Sequence, residues 1–141
     1  MIHELAHAFH WDIGATAFNL SETIVKESWA RGIERDLTKM VHSGYNAYYA
    51  RLNYTGIVED LMDGFGTTTT SKWYDFSTET WGTPDISKSY NDQVSGYSIV
   101  QIENTLNSQR YWDDWRNVII NMYSNATENK VYEAFSYWNT K

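Results

Sequence analysis

The motif His3-Glu4-Leu5-Ala6-His7 lies at the start of the chain, and its two histidines can act together if the segment is helical. In a helix, residues four apart lie one above the other on the same face, so both imidazoles can bind one metal ion. A catalytic zinc ion keeps three protein ligands and one water molecule, and a carboxylate beside that water can accept its proton. The motif therefore predicts a helix with two metal ligands, His3 and His7, and a general base, Glu4.

The residues after the motif distinguish two classes of zinc peptidase. The metzincin pattern would place glycine at position 10 and histidine at position 13, but this chain has His10 and Ile13, which excludes that class. Glu27 lies twenty positions after the second histidine. Here the chain resembles the gluzincins, the thermolysin-like zinc metallopeptidases, in which a glutamate at about this distance on the next helix completes the site. The resemblance implies Zn²⁺ held by His3, His7 and Glu27, and a peptide or protein substrate.

Two features leave the details of this site open. Glu34 is the alternative third ligand, because seven residues at about 100° each bring it to within about 20° of Glu27 on a helix. In gluzincins an aspartate four residues beyond the ligand glutamate orients the first histidine, but this chain has Arg31 there. A metal-bound histidine normally donates its second ring N–H to an acceptor. The candidates for that supporting role are His10, Asp12 and Glu34.

The resemblance also implies that the chain is one part of a peptidase domain. Gluzincins carry, ahead of the motif helix, a sheet whose edge strand holds the substrate, and only Met1 and Ile2 precede the motif here. We expect residues 1–141 to form a single helical domain, the C-terminal portion of a larger zincin-like domain. Apolar surface left by such a truncation predicts self-association. The sequence is also similar to uncharacterised predicted metallopeptidases of Bacteroides-type bacteria, and a secreted or cell-envelope location is the leading expectation.

The composition predicts a folded chain and argues against several functions. Aromatic residues make up 16% of the sequence, well beyond the content of disordered chains. The net charge of −7 argues against nucleic-acid binding, which needs clustered Lys and Arg. The sequence has no run of about 18 apolar residues, so we expect no transmembrane segment. The absence of cysteine excludes thiolate ligands and disulfides.

Apolar residues recur at helical spacing over most of the chain and predict an all-α fold, mainly a helical bundle. The first helix should run from Ile2 to Trp11 and end near Gly14. The second should open on a capping box formed by Asn19 and Glu22 and end at Gly44; its predicted apolar face is Val25, Trp29, Ile33, Leu37 and Met40. Residues 64–93, rich in threonine and aromatic side chains, predict one long irregular loop with at most a small hairpin.

Four more helices are predicted from their N-cap residues. Thr55 can cap a short helix over residues 56–63, and Ser95, Ser108 and Thr127 can cap three longer ones. Aromatic residues such as Trp115 lie at helical spacing in these last three segments, and we interpret them as core.

Three interpretations of function are open at this point. The first is a zinc-dependent metallopeptidase. The second, from another class, is a non-catalytic helical binding or structural module with a vestigial or structural metal site. In the third, the full-length protein is the enzyme and this fragment is inactive when isolated, because positioning of the substrate supplies a large part of catalysis. A peptidase also needs a donor for the oxyanion, and the candidates are Tyr45, Tyr48, Tyr49 and Tyr54.

Overall fold

A computed structural model describes residues 1–42, 49–50, 53–62, 72–75, 80–81, 92–108 and 110–139. Helices and short strands follow one another in this part of the chain. In order they are α1 (Ile2–Ile13), α2 (Ala15–Leu20), α3 (Thr23–Val41), β1 (Tyr49–Ala50), α4 (Ile57–Met62), β2 (Lys72–Asp75), β3 (Thr80–Trp81), α5 (Ile99–Asn104), α6 (Trp112–Met122) and α7 (Glu128–Trp138). The predicted all-α fold is confirmed, and the described residues also include a small three-stranded sheet.

The sheet has the strand order β1-β2-β3. β1 pairs with β2 in parallel, and β2 pairs with β3 in the antiparallel sense, with Tyr74 opposite Trp81. The β2–β3 pair is the small hairpin that the sequence allowed within residues 64–93. Most of the remainder of that loop, like Gly44, lies outside the described residues.

The core is formed by helix faces and is rich in tryptophan. Trp29, Trp115 and Trp138 are fully buried. Two of these three indoles have a partner for the N–H: Nε1 of Trp115 donates to Oγ1 of Thr105 at 2.7 Å, and Nε1 of Trp138 donates to Oδ2 of Asp60 at 2.6 Å. Nε1 of Trp29 has no hydrogen-bond partner among the described residues. The interpretation of the C-terminal aromatic residues as core is therefore confirmed.

Helix α3 is central, because it packs against α1, α4 and α6. The prediction that Leu37 and Met40 continue its apolar face is wrong, since their exposed fractions are 38% and 75%. Arg35 holds the buried position in this turn instead, and its Nε lies 2.7 Å from Oε2 of Glu59 on α4. The last turns of α3 are thus held to α4 by an ion pair rather than by apolar contact.

The predicted capping box at the start of α3 is wrong, and the glutamate caps a different helix. Asn19 lies inside α2. Oε2 of Glu22 accepts a hydrogen bond from the backbone N–H of Trp112 at 2.6 Å, ninety residues away. Since this carboxylate satisfies a free N–H at the start of α6, α6 begins at Trp112 and not near Ser108.

The other predicted N-caps are confirmed in part. Thr55 accepts the backbone N–H of Ile57 at 3.3 Å, as expected for a cap of α4. Helix α5 begins after Ser98, not after Ser95, because Ser98 forms a capping box with Gln101. Thr127 is the N-cap of α7 as predicted, but its hydroxyl bonds to the backbone of Ser95 rather than to its own helix.

Candidate metal centre

Three side chains from α1 and α3 meet at one point. Nε2 of His3 lies 3.0 Å from Oε2 of Glu27, Nε2 of His7 lies 3.3 Å from the same oxygen, and the two Nε2 atoms are 3.2 Å apart. All three side chains are partly buried. Among the described residues, they form a group whose donor atoms could hold one metal ion.

Packing of α1 against α3 produces this meeting. Ala6 and His10 are the buried residues of α1, and the small side chain of Ala6 permits a close approach of the two helices. On a helix at about 100° per residue, His3 and His7 lie one turn apart on the same side of the line that joins Ala6 and His10. Glu27 lies in the first half of α3, opposite them. Two ordinary amphipathic helices therefore bring the ligands together.

The spacing of the three donor atoms fits a small divalent cation. A tetrahedral zinc ion with bonds of about 2.0–2.1 Å separates neighbouring ligand atoms by about 3.3 Å, close to the observed 3.0, 3.2 and 3.3 Å. Hydrogen bonds alone do not account well for this arrangement of three atoms. If both imidazoles donate an Nε2–H to Glu27, the two hydrogens lie close together and repel each other. A shared cation removes that conflict.

Glu27 is held ready as an anion. Partial burial would raise its pKa, but hydrogen bonds from His3 and Tyr54, together with the charges of His7 and His3, outweigh burial and leave the pKa below its ordinary value. A carboxylate must be deprotonated to bind a metal. The surroundings of Glu27 thus favour the form that binds.

The rival glutamate, Glu34, lies on the other side of His3. Its Oε2 is 3.8 Å from Nδ1 of His3 and only 2.6 Å from Nη1 of Arg31. The sequence left two possibilities for Glu34, the third metal ligand or an acceptor that supports a ligand histidine. This arrangement is consistent with the second. Arg31, which stands where gluzincins have an orienting aspartate, contacts the acid that faces His3. Helix α3 thus places an acidic group near His3, three residues after Arg31.

The other supporting candidates do not reach the ligands. Asp12 is exposed and lies about 180° around α1 from His3, because nine residues turn the helix by about two and a half turns. His10 is fully buried, with its ring 5.0 Å from that of Phe18. Neither ring nitrogen of His10, nor Nδ1 of His7, has a hydrogen-bond partner in the described structure.

Burial makes His10 a source of acid sensitivity. Desolvation, with smaller contributions from the charges of His7 and Lys26, lowers its pKa from 6.5 to about 4. In the unfolded chain His10 takes up a proton near pH 6.5, whereas the folded protein resists until about pH 4. The contribution of His10 to the free energy of unfolding is therefore fully present above pH 6.5. It is lost as the pH drops toward 4, and the loss amounts to about 3 kcal/mol.

We expect His10→Leu to flatten this part of the stability curve. Denaturant unfolding of metal-free protein between pH 7 and 4 measures it, with Phe18→Leu as the control that alters the same contact but removes no titratable group. An equally steep fall in His10→Leu and in the unaltered protein would contradict the assignment.

The proposed general base, Glu4, is exposed at the first turn of α1, between the two histidines in sequence. Its side chain is therefore accessible to water.

Tyr54 is the contact that sequence reasoning did not single out. Its ring stacks on that of His3, with centroids 5.5 Å apart and planes 24° from parallel, and it hydrogen-bonds to Glu27. Tyr54 was one of four candidate oxyanion donors; Tyr45, Tyr48 and the side chain of Tyr49 lie outside the described residues. No spacing signal distinguishes Tyr54, since it approaches the site through a turn far along the chain.

Comparison with known proteins adds no family assignment. No protein-family model matches this chain, and neither a curated protein nor a solved structure matches it. Among the described helices, none combines the length and apolar character needed to cross a membrane.

Proposed function

We propose that this chain carries the metal centre of a zinc-dependent peptidase, with His3, His7 and Glu27 as ligands and Glu4 as general base. The convergence of two imidazole nitrogens and one carboxylate oxygen within 3.3 Å is the observation that carries the proposal. Two histidines and a glutamate are a ligand set of catalytic zinc sites. The proposed substrate is a peptide or protein.

The residues of the chain divide the work of hydrolysis. A zinc ion in this site would polarise the scissile carbonyl and lower the pKa of an attacking water molecule. Glu4, exposed beside the ligands, would take the proton from that water and pass it to the leaving amine. Glu34 faces Nδ1 of His3 at 3.8 Å and would help to keep its Nε2 directed at the metal.

The first test is the zinc content of the protein. After dialysis, elemental analysis should find about one zinc per chain in the unaltered protein and far less in Glu27→Ala, because two imidazoles alone make a weak site. Glu34→Ala is the matched control on the same helix. We expect it to keep the metal at saturation, since Glu34 supports His3 but does not bind zinc.

Two results would reject this assignment. One is the absence of zinc from the unaltered protein even after supplementation. The other is equal loss of zinc from both variants, which would leave Glu27 with no privileged role.

A structural metal site is the second candidate, because the proposed ligands come from two helices, α1 and α3. A metal ion that bridges them would add to the stability of the folded state. In that case zinc raises the unfolding temperature but no peptide is cleaved. Turnover that depends on Glu4 separates the two functions.

Self-association stays a prediction. Leu5 and Phe9 lie one turn apart on α1 and are more than half exposed, at 53% and 56%. They form apolar surface on the helix, away from the metal ligands.

A further inference from the structure

One residue from a third element contacts two of the three proposed ligands. The ring of Tyr54 stacks on His3 of α1, with 5.5 Å between centroids. The same side chain hydrogen-bonds to Glu27 of α3. His3 and Glu27 thus share a neighbour that belongs to neither of their helices.

The turn that carries Tyr54 is fastened to α3 beside Glu27. Ser28 is fully buried, and its Oγ donates to the backbone carbonyl of Asn53 at 3.2 Å and accepts from Oγ1 of Thr55 at 2.8 Å. The backbone N–H of Thr55 also points to this hydroxyl, at 3.3 Å. The side chain of Ser28 therefore forms hydrogen bonds with the residues on both sides of Tyr54.

The backbone of this turn is also unusual. Asn53 has φ of 69°, in the left-handed region that asparagine tolerates better than most residues. This conformation directs the chain into the Ser28 contacts. Tyr54 follows Asn53 directly, so these contacts fix the backbone position from which the tyrosine side chain extends.

We propose that Tyr54 is a positioning residue of the metal centre, which holds His3 by stacking and the Glu27 carboxylate by its hydroxyl in the geometry that binds the cation. The inference rests on the proposed function. A site whose ligands are fixed before the ion arrives loses less freedom on binding, and loss of such outer partners typically costs 10- to 100-fold in metal affinity.

The test is the affinity for Zn²⁺, measured by competition with a chromophoric chelator. Tyr54→Phe keeps the stacked ring and loses the hydroxyl, and we expect binding about 10- to 100-fold weaker. Tyr132→Phe is the control, because Tyr132 is 57% exposed on α7 and packs on Arg116; its affinity should match the unaltered protein. Ser28→Ala, which releases the turn, should weaken binding in the same direction if Tyr54→Phe folds poorly.

Three further measurements separate positioning from general stability. In the Glu27→Ala background, Tyr54→Phe should cause no additional loss of affinity, because the hydroxyl acts through that carboxylate. The visible absorption bands of the Co²⁺-loaded protein should change in Tyr54→Phe, while thermal unfolding of the metal-free protein stays the same.

The outcomes are distinguishable. Normal zinc binding by both Tyr54→Phe and Ser28→Ala would overturn the inference and leave the proposed function standing. An unaltered protein that binds no zinc would overturn both.

Discussion

Glu4→Gln should abolish peptide hydrolysis while leaving zinc in place. The substitution keeps the size of the side chain and removes its ability to accept a proton, a contribution typically worth about 10²- to 10⁴-fold in rate. Zinc should remain near one per chain because Glu4 is not among the converging donor atoms. The measurement is cleavage of a mixture of quenched fluorescent peptides, with metal content determined on the same samples.

The matched control is Glu133→Gln, at an exposed glutamate on α7 whose carboxylate lies 4.0 Å from Nζ of Lys130. It should cleave at the rate of the unaltered protein. Equal activity in Glu4→Gln and the unaltered protein would remove Glu4 from the chemistry. Zinc binding without any cleavage in the unaltered protein would favour the structural metal site or a fragment that needs the rest of its domain.

Gly32→Ala should destabilise the fold by about 1–3 kcal/mol. A Cβ at this position would lie 2.4 Å from both Cβ and Cγ1 of Val58 on α4, and the β-branched valine has no flexible end to move away. The substitution gains about 0.5–1 kcal/mol from helix propensity, so the clash outweighs the gain. Denaturant unfolding of the metal-free protein measures the difference.

Gly14→Ala is the control, because its added Cβ would meet only Cβ of Ala17 at 3.6 Å, an ordinary contact. Its φ of −176° is extended backbone that alanine adopts freely. We expect little change in stability. Since Gly32 lies on α3 between Glu27 and Glu34, zinc affinity should also fall in Gly32→Ala; two glycine variants of equal stability would refute the tight α3–α4 contact.

The sequence predicted those parts of the molecule that depend on local pattern. Helical periodicity gave the helices and the buried aromatic residues, because both follow from which face of a helix is apolar. The i, i+4 spacing placed His3 and His7 together. The distance to Glu27 came from family resemblance, and its meeting with the histidines needs the packing of α1 on α3.

Features that depend on distant partners were missed. The sequence predicted that Glu22 belongs to a local capping box, but its carboxylate caps α6. It also predicted that Leu37 is buried, whereas the buried residue is Arg35, because it pairs with the buried acid Glu59 on α4. Tyr54 reaches the centre because Ser28 bonds to the residues on both sides of it, Asn53 and Thr55, which are 25 and 27 residues further along the chain. Such contacts depend on the tertiary structure, and no periodic pattern in the sequence indicates them.

Hydrogen bonds between residues 21–22 and 110–112 connect the helices of the proposed metal centre to the C-terminal helices. Ser21 accepts the backbone N–H of Arg110 at 2.9 Å, the backbone N–H of Glu22 donates to the carbonyl of Arg110 at 3.0 Å, and the Glu22 carboxylate caps α6. These contacts close a loop of about ninety residues, which slows folding and couples its two ends. Zinc bound between α1 and α3 would therefore suppress amide hydrogen exchange in α6, although no ligand lies in that helix.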